Sequence, residues 1–324
     1  MSSKVTVVAH PNIALSKYWG KAPREGNFPA VPSLSVTLSG MTTTTTVVFL
    51  EGQEGDDELT LGGSPMAWPG RYKAQSLLDS VRQAAGVRAR AVVTSTNDFP
   101  TGSGLASSAS GFAALALAAV RAAGLDWNLG EISALARRAS ASAARSLFGG
   151  FVELPLGSER AVSVAPCEAL DLSVLVCVTT DLPKAVGSSE GMTRTAQESP
   201  FYEAWLEKAP RIHAQLRGAL EARDLGLVGA LAERSALAMH ASALAAGVVY
   251  LKGVSLELLQ QVQSLRREGL LAFATMDAGP HVKVLVSRES APLVRARLAS
   301  VPGVLRVLET RPGEGARVLE EPRS

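Results

Sequence analysis

The spacing of apolar and polar residues changes period several times along the chain. In the first half, Lys4–Ala9, Leu34–Leu38, Thr42–Leu50, Ala89–Ser95, Gly150–Leu154 and Leu172–Thr179 are rich in valine and threonine or alternate apolar with polar residues, which predicts strands. Helices are predicted at Tyr72–Ala85, Ala106–Ala123 and Leu129–Leu147, the last with Asn128 as a cap and Glu131 in its first turn. After Thr180 a polar loop, Asp181–Ser199, precedes helical stretches near Phe201–Arg223, Leu225–Ala245 and Ser255–Glu268. Strands follow at Leu270–Thr275 and Val282–Ser287, then a helix and a final strand near Arg306–Thr310. Strict βαβ alternation is absent, so the expected class is α+β. Two domains are expected: residues 1–185, carrying a phosphate-type loop, and residues 186–324, a smaller α/β sandwich.

A length of 324 residues suits two domains, and 47% hydrophobic with 19% charged residues is an ordinary enzyme composition. The 32 basic residues are interleaved with 30 acidic ones for a formal charge of +2, which gives no nucleic-acid footprint but leaves room for one local anion site. Cys167 and Cys177 are too few for a disulfide framework and lack metal-ligand spacing. With one lysine before Val-Thr-Val-Val, the N-terminus is not expected to act as a signal peptide. The longest apolar stretch, Leu105–Val120, is alanine-rich and broken by Ser107, Ser108, Ser110 and Gly111, so it predicts a buried helix rather than a membrane span. The expectation is a soluble, cytoplasmic enzyme with no membrane or nucleic-acid partner.

Candidate chemistry concentrates in a few segments. In Asp98-Phe-Pro-Thr-Gly-Ser-Gly-Leu-Ala-Ser-Ser-Ala-Ser110, Gly102 and Gly104 let the backbone bend around a ligand and three hydroxyls follow at Ser107, Ser108 and Ser110. The helix after it directs unpaired N–H groups and a positive dipole end toward an anion. A Walker Lys-Ser or Lys-Thr pair is missing, which excludes a P-loop NTPase. In Asn12-Ile-Ala-Leu-Ser-Lys-Tyr-Trp-Gly-Lys21, two lysines flank an aromatic pair on a loop leaving the first strand. Exposed aromatics beside lysines suit a phosphate-bearing substrate. On a helix, Ser142, Arg145 and Ser146 would share a face offering hydroxyls and a guanidinium to a carboxylate or phosphate. Gly187-Ser-Ser-Glu-Gly-Met192 is a second serine-glycine loop. Asp277, in Thr275-Met-Asp-Ala-Gly-Pro280, sits just past an apolar strand, where rigidity suits a catalytic base. Each segment also has a plain alternative: a helix cap, a solvated basic loop, a structural ion pair at Arg145, a linker, an Asx-turn at Asp277. His10, His213, His240 and His281 show no zinc spacing, and no Gly-x-Ser-x-Gly elbow supports acyl transfer.

Taken together, these segments resemble the diphosphomevalonate decarboxylases of the GHMP kinase superfamily. The matching text is Asn12-Ile-Ala, Lys17-Tyr-Trp-Gly-Lys21, Ser33-Leu-Ser-Val-Thr-Leu38, Phe99-Pro-Thr, Gly104-Leu-Ala-Ser-Ser-Ala109, Ser140 to Gly150, Ser188 to Met192 and Met276-Asp-Ala-Gly-Pro280, in family order. Lys-Tyr-Trp-Gly-Lys and Met-Asp-Ala-Gly-Pro point to the decarboxylase branch. The resemblance implies a GHMP kinase-like fold, with a ribosomal-protein-S5-domain-2-like N-terminal domain and a ferredoxin-like C-terminal sandwich. It also implies a site in the cleft between them, and a homodimer. The implied reaction converts (R)-5-diphosphomevalonate and ATP, with Mg²⁺, to isopentenyl diphosphate, CO2, ADP and phosphate. By position Asp277 matches the catalytic aspartate, Arg145 the arginine facing the substrate carboxylate, and Lys17 lies near the aspartate. Tyr18, Lys21, Ser140 and Ser142 match the substrate-diphosphate contacts. Asn97, Gly102, Ser103, Gly104, Ser107 and Ser108 fall to ATP, and Ser188 to a loop closing over nucleotide and substrate; no magnesium ligand is assigned. Ala30-Val31-Pro32 departs from the family's polar residues near the expected substrate position. The nearest alternatives are therefore a phosphomevalonate decarboxylase or a small-molecule kinase of the same fold, such as a mevalonate 3-kinase.

Overall fold

The computed structural model describes residues 4–53, 55–99, 107–182 and 184–319. In chain order the first half holds β1 (Lys4–Ala9), β2 (Asn12–Ser16), β3 (Ser33–Thr37), β4 (Thr43–Glu51), β5 (Glu58–Leu61), β6 (Ser64–Pro65), α1 (Gly70–Ala85), β7 (Ala89–Asn97), α2 (Ser107–Ala122), α3 (Leu129–Ala139), β8 (Phe151–Leu154) and β9 (Val162–Ala165). The second half holds β10 (Leu172–Val178), α4 (Ser188–Glu198), α5 (Tyr202–Glu221), α6 (Leu225–Ala245), α7 (Gly253–Arg267), β11 (Ala272–Thr275), β12 (Val282–Ser287), α8 (Ala291–Ala299), β13 (Arg306–Thr310) and β14 (Arg317–Val318). Among the described residues no helix is long and apolar enough to cross a membrane.

The strands form sheets ordered β14-β1-β4-β7-β5-β6, β2-β3-β8-β9 and β11-β12-β10-β13. In β4, Thr43, Thr45, Val47 and Phe49 point inward while their neighbours are half-exposed, the period-2 pattern of a strand covered on one side. The cover is α2, whose small alanines let it lie flat on β4 and β1. Beside it α1 buries Ala74, Leu77, Leu78 and Val81, one helical stripe.

The predicted third helix starts as read but stops early. Asn128 Oδ1 accepts from the Gly130 and Glu131 N–H groups, and Glu131 accepts from Asn128 N–H, a capping box worth roughly 1 kcal/mol. The helix ends at Ala139 rather than Leu147, because Ser140 is extended and residues 141–147 form successive turns. The carbonyls of Ser142 and Ala144 are taken by Asn12 Nδ2 (2.9 Å) and Ser133 Oγ (3.0 Å), so remote side chains replace the helical ladder.

β10 is buried throughout, its even-numbered residues facing one core and Leu175 and Cys177 the other. It pairs with β12 and β13, so a division at residue 185 would part this strand from its own sheet; the change of sheet falls between β9 and β10. The order β11-β12-β10-β13, with crossover helices before β11 and between β12 and β13, is that of a ferredoxin-like βαββαβ sandwich. One hydrophobic cluster holds Ile13, Leu15 and Leu34 from β2 and β3 together with Val174 and Val176 from β10 and Leu216 and Leu231 from α5 and α6. The two halves therefore share a core, and the segments leaving β2 and β11 meet above it.

Candidate active site

β2 delivers Lys17. The segment was expected as a loop, but Asn12–Ser16 is a buried strand paired with β3, with a bulge between Ala14 and Ser16 that turns the chain inward. Lys17, 2% exposed, donates to the Ala14 carbonyl and to Asp277 Oδ1, both at 2.7 Å. Trp19 is not exposed beside the lysines: it packs with Val31, Trp205 and Tyr250 beneath them. Val31 belongs to that buried cluster, so the Ala30-Val31-Pro32 departure lies under the aromatic pair rather than along the cleft lining.

Asp277 follows β11 on the turn 276–280. Its Oδ1 faces Lys17, its Oδ2 lies 3.4 Å from Lys283 Nζ, and its side chain is 27% exposed toward a cleft of about 350 Å³. Burial would raise its carboxyl, but Lys17 and Lys283 outweigh that and hold it far below the usual carboxylate range. Burial lowers Lys17 to about 8 despite Asp277.

Arg145 is 2% exposed and held by neutral groups: Ser35 Oγ at 2.9 Å, Ser33 Oγ at 2.6 Å and Asn12 Oδ1 at 3.4 Å. Among the described residues it has no ion-pair partner, which removes the structural ion-pair alternative and leaves a buried guanidinium in need of an anion. Burial draws it down to about 10, still charged at neutral pH. It does not share a helix face with Ser142. The turns after α3 aim it, and Ser140 and Ser142, 3.0 Å apart at their hydroxyls, line the cleft beside it.

The serine-glycine segment expected as a loop is helical: Ser188 opens α4. Gly187, Ser188 and Ser189 line the cleft at that helix N-terminus, where Lys184 Nζ meets Ser188 Oγ at 2.6 Å and Lys21 Nζ meets Ser189 Oγ at 3.2 Å. Burial lowers Lys21, with Lys73 adding to the effect, and burial lowers Lys184. Burial raises the Tyr18 phenol beyond its usual range, which keeps it a donor.

The cleft thus gathers Lys17, Tyr18, Lys21, Ser108, Ser140, Ser142, Arg145, Ser188 and Asp277 from both halves of the chain. Asn97 and Ser107 are not among its lining: Asn97 Oδ1 accepts from Thr43 Oγ1 at the end of β7. Gly102, Ser103 and Gly104 lie outside the described residues. Sequence reasoning missed Lys73 and Lys184, lone lysines without a local signal, and Asn12, Ser33 and Ser35, which hold Arg145. Ser33 and Ser35 carried a usable signal, since alternate serines on a strand share one face. Five basic side chains and one carboxylate line the cleft, which is where the small cationic excess becomes local.

Comparison with known proteins agrees with this arrangement. A sequence profile described as diphosphomevalonate decarboxylase-like N-terminal domain matches residues 9–165, and one for the mevalonate 5-diphosphate decarboxylase C-terminal domain matches residues 174–311. The chain is 30% identical to a diphosphomevalonate decarboxylase of Candida albicans across 98% of each chain. It is 32% identical to a phosphomevalonate decarboxylase of Haloferax volcanii across 91% of this chain and 92% of that one. Solved structures superpose closely. Mevalonate diphosphate decarboxylase from Staphylococcus aureus gives a TM-score of 0.92 at 33% identity, covering 99% of each chain. A structure described as MDDEF in complex with MVAPP, AMPPCP and magnesium gives 0.91 at 36%, covering 99% of this chain and all of that one.

Proposed function

The chain belongs to the diphosphomevalonate decarboxylase family, with a GHMP kinase-like fold, and from that premise we infer that it phosphorylates the 3-hydroxyl of (R)-5-diphosphomevalonate with ATP and decarboxylates the product to isopentenyl diphosphate. The observation that carries this reading is a buried arginine, without a carboxylate partner among the described residues, facing a lysine-held aspartate across one cleft. Asp277 orients the tertiary hydroxyl and accepts its proton as the oxygen bonds to the γ-phosphorus of ATP and ADP leaves. Phosphoryl transfer is largely dissociative, so the proton leaves late and a weak base suffices. Lys17 holds Asp277 and adds positive charge beside the transferring group. Phosphate then departs from C3, the developing positive charge draws the C1–C2 bonding pair, and C1 leaves as CO2. Arg145 holds the carboxylate in line for that cleavage.

Tyr18, Lys21, Ser140 and Ser142 serve the substrate diphosphate, and Ser108, Lys184 and the N-terminus of α4 serve ATP. Among the described residues no group of three His, Cys, Asp or Glu side chains could hold a metal. The residues fit a Mg²⁺ ion carried by phosphate oxygens and water, with Ser108 offering a hydroxyl in the cleft. Such an ion would supply positive charge to the ATP phosphates during transfer. The unpaired Cys167 and Cys177 suit the reducing cytoplasm. The test is incubation with ATP, Mg²⁺ and mevalonate, its 5-phosphate or its 5-diphosphate, following ADP and CO2 separately. ADP without CO2 makes the protein a kinase of this fold. Preference for the 5-phosphate makes it a phosphomevalonate decarboxylase, the reading that the Haloferax relative favours.

For the homodimer, a face on α6 suits a second copy. Leu227, Ala230, Arg234, Leu237, Ala241 and Leu244 are exposed at alternating spacings of three and four. The spacing of that stripe is symmetric about its centre, so an antiparallel copy would set Leu227 against Leu244, Ala230 against Ala241 and Arg234 against Leu237.

A further inference from the structure

β12 reads Val-Lys-Val-Leu-Val-Ser, and Lys283 is 1% exposed within it. An ammonium in an apolar strand is strongly unfavourable unless it is paired. Its register, opposite Thr275 of β11 and Val176 of β10, brings the side chain up to the turn that carries Asp277. There Lys283 Nζ lies 3.4 Å from Oδ2, while Lys17 takes Oδ1 at 2.7 Å. Lys17 lines the cleft and Lys283 does not.

We propose that Lys283 is a positioning residue of the reaction, anchoring Oδ2 of Asp277 from behind the cleft so that the carboxylate has one orientation toward the substrate hydroxyl. The proposal rests on the role given to Asp277 above and deepens it. A carboxylate turns easily about its last bond, because that torsion is broad and two-fold. Lys17 alone would leave it free to swing, whereas separate cations on its two oxygens fix its plane. The charged and titratable groups facing Asp277 are Lys17 after β2, Arg145 after α3, Lys184 before α4, His240 of α6 and Lys283 of β12. Burial, with Lys17 adding to it, lowers His240 to about 4, so it is neutral in the working range. Lys17 and Lys283 alone among the described residues stand at ion-pair distance.

The experiment is a set of four variants, Lys283→Met, Lys283→Arg, Asp277→Asn and the double Asp277→Asn/Lys283→Met, with steady-state kinetics across pH and melting curves. Lys283→Met should lower kcat by about 10- to 100-fold, the usual effect of losing a supporting partner, with both KM values near the parent's. Its acidic limb should move up, since a cation that depresses the Asp277 carboxyl is gone, and Lys283→Arg should restore part of kcat. On the Asp277→Asn background the same change should cost no further activity and should raise Tm, because the ammonium has lost its carboxylate. A Lys283→Met enzyme with parental kcat and pH profile but a lower Tm would make Lys283 a structural counter-ion and overturn the proposal. A further loss of kcat in the double variant would overturn it too, and that comparison holds even if Lys283→Met alone does not fold. An active Asp277→Asn enzyme, by contrast, would bring down the functional reading itself.

Discussion

Replacing Arg145 with methionine separates a substrate-binding arginine from a structural one. In the free protein the guanidinium is buried against two serine hydroxyls and an asparagine amide, with no ion pair among the described residues. Removing it relieves an uncompensated buried charge and leaves three acceptors short of a donor, at about 1 kcal/mol each. The two effects oppose, so Tm should stay within about 4 °C of the parent, the shift expected for roughly 1 kcal/mol in a domain of this size. The substrate carboxylate fares otherwise, because it is then left without its cation in a partly dehydrated cleft. Breaking a buried pair by removing one partner costs about 3–5 kcal/mol, or about two to three and a half decades. The assay is kcat/KM for diphosphomevalonate beside KM for ATP, with CO2 and ADP followed separately. The first should fall by that amount and KM for ATP should hold. If Tm dropped steeply and residual activity merely followed the folded fraction, Arg145 would be part of the scaffold, and the reasoning from its missing partner would be wrong.

Four further outcomes follow from the same geometry. Ser108→Ala should raise KM for ATP by about 10- to 150-fold, the value of a hydrogen bond to a charged group, while Ser107→Ala, outside the cleft lining, should change it far less. Lys21→Ala should erase most of a preference for the 5-diphosphate over the 5-phosphate expected to reach at least about 10²-fold; equal turnover of both by the parent enzyme would refute the donor argument. Activity should fall as pH rises through about 8, where Lys17 loses the proton with which it holds Asp277, and Lys17→Arg should carry that limb to higher pH in a kcat–pH profile. Leu237→Glu should give monomers in sedimentation at unchanged kcat per chain, and a persistent dimer would place the interface elsewhere.

Local signals were legible in the sequence wherever the residues that matter are neighbours. Strand alternation gave β1, β4 and β7, and Asn128 with Glu131 marked the start of α3. Its end was not legible, because the partners that take the carbonyls of Ser142 and Ala144 are Asn12 and Ser133, distant in sequence. β2 escaped for a different reason: all five of its residues are buried, so no alternation shows. The helix α4 was hidden by Gly191, a helix-weakening residue at a position where a side chain would strike the Tyr250 hydroxyl. At the site, the segments carrying Asp277, Arg145 and Lys17 stood out as polar clusters. Lys283 escaped the sequence reading, because nothing short of the β12 register shows where its ammonium ends.

That placement bears on the kind of reaction this cleft is built for. A carboxylate meant to pull a proton from an alcohol early would profit from a raised pKa, which burial in an apolar wall supplies unaided. Burial does push Asp277 that way, yet the protein sets a lysine against each of its oxygens and drives the carboxyl the opposite way. Basicity is given up for fixed geometry. Such an arrangement suits a transfer in which bond breaking to the leaving ADP runs ahead of attack, so that the hydroxyl proton becomes acidic only as its oxygen bonds to phosphorus. It suits the second stage as well: a carboxyl held that acidic hands the hydroxyl's proton on to the departing phosphate rather than keeping it, while Lys17 stays charged to meet that phosphate.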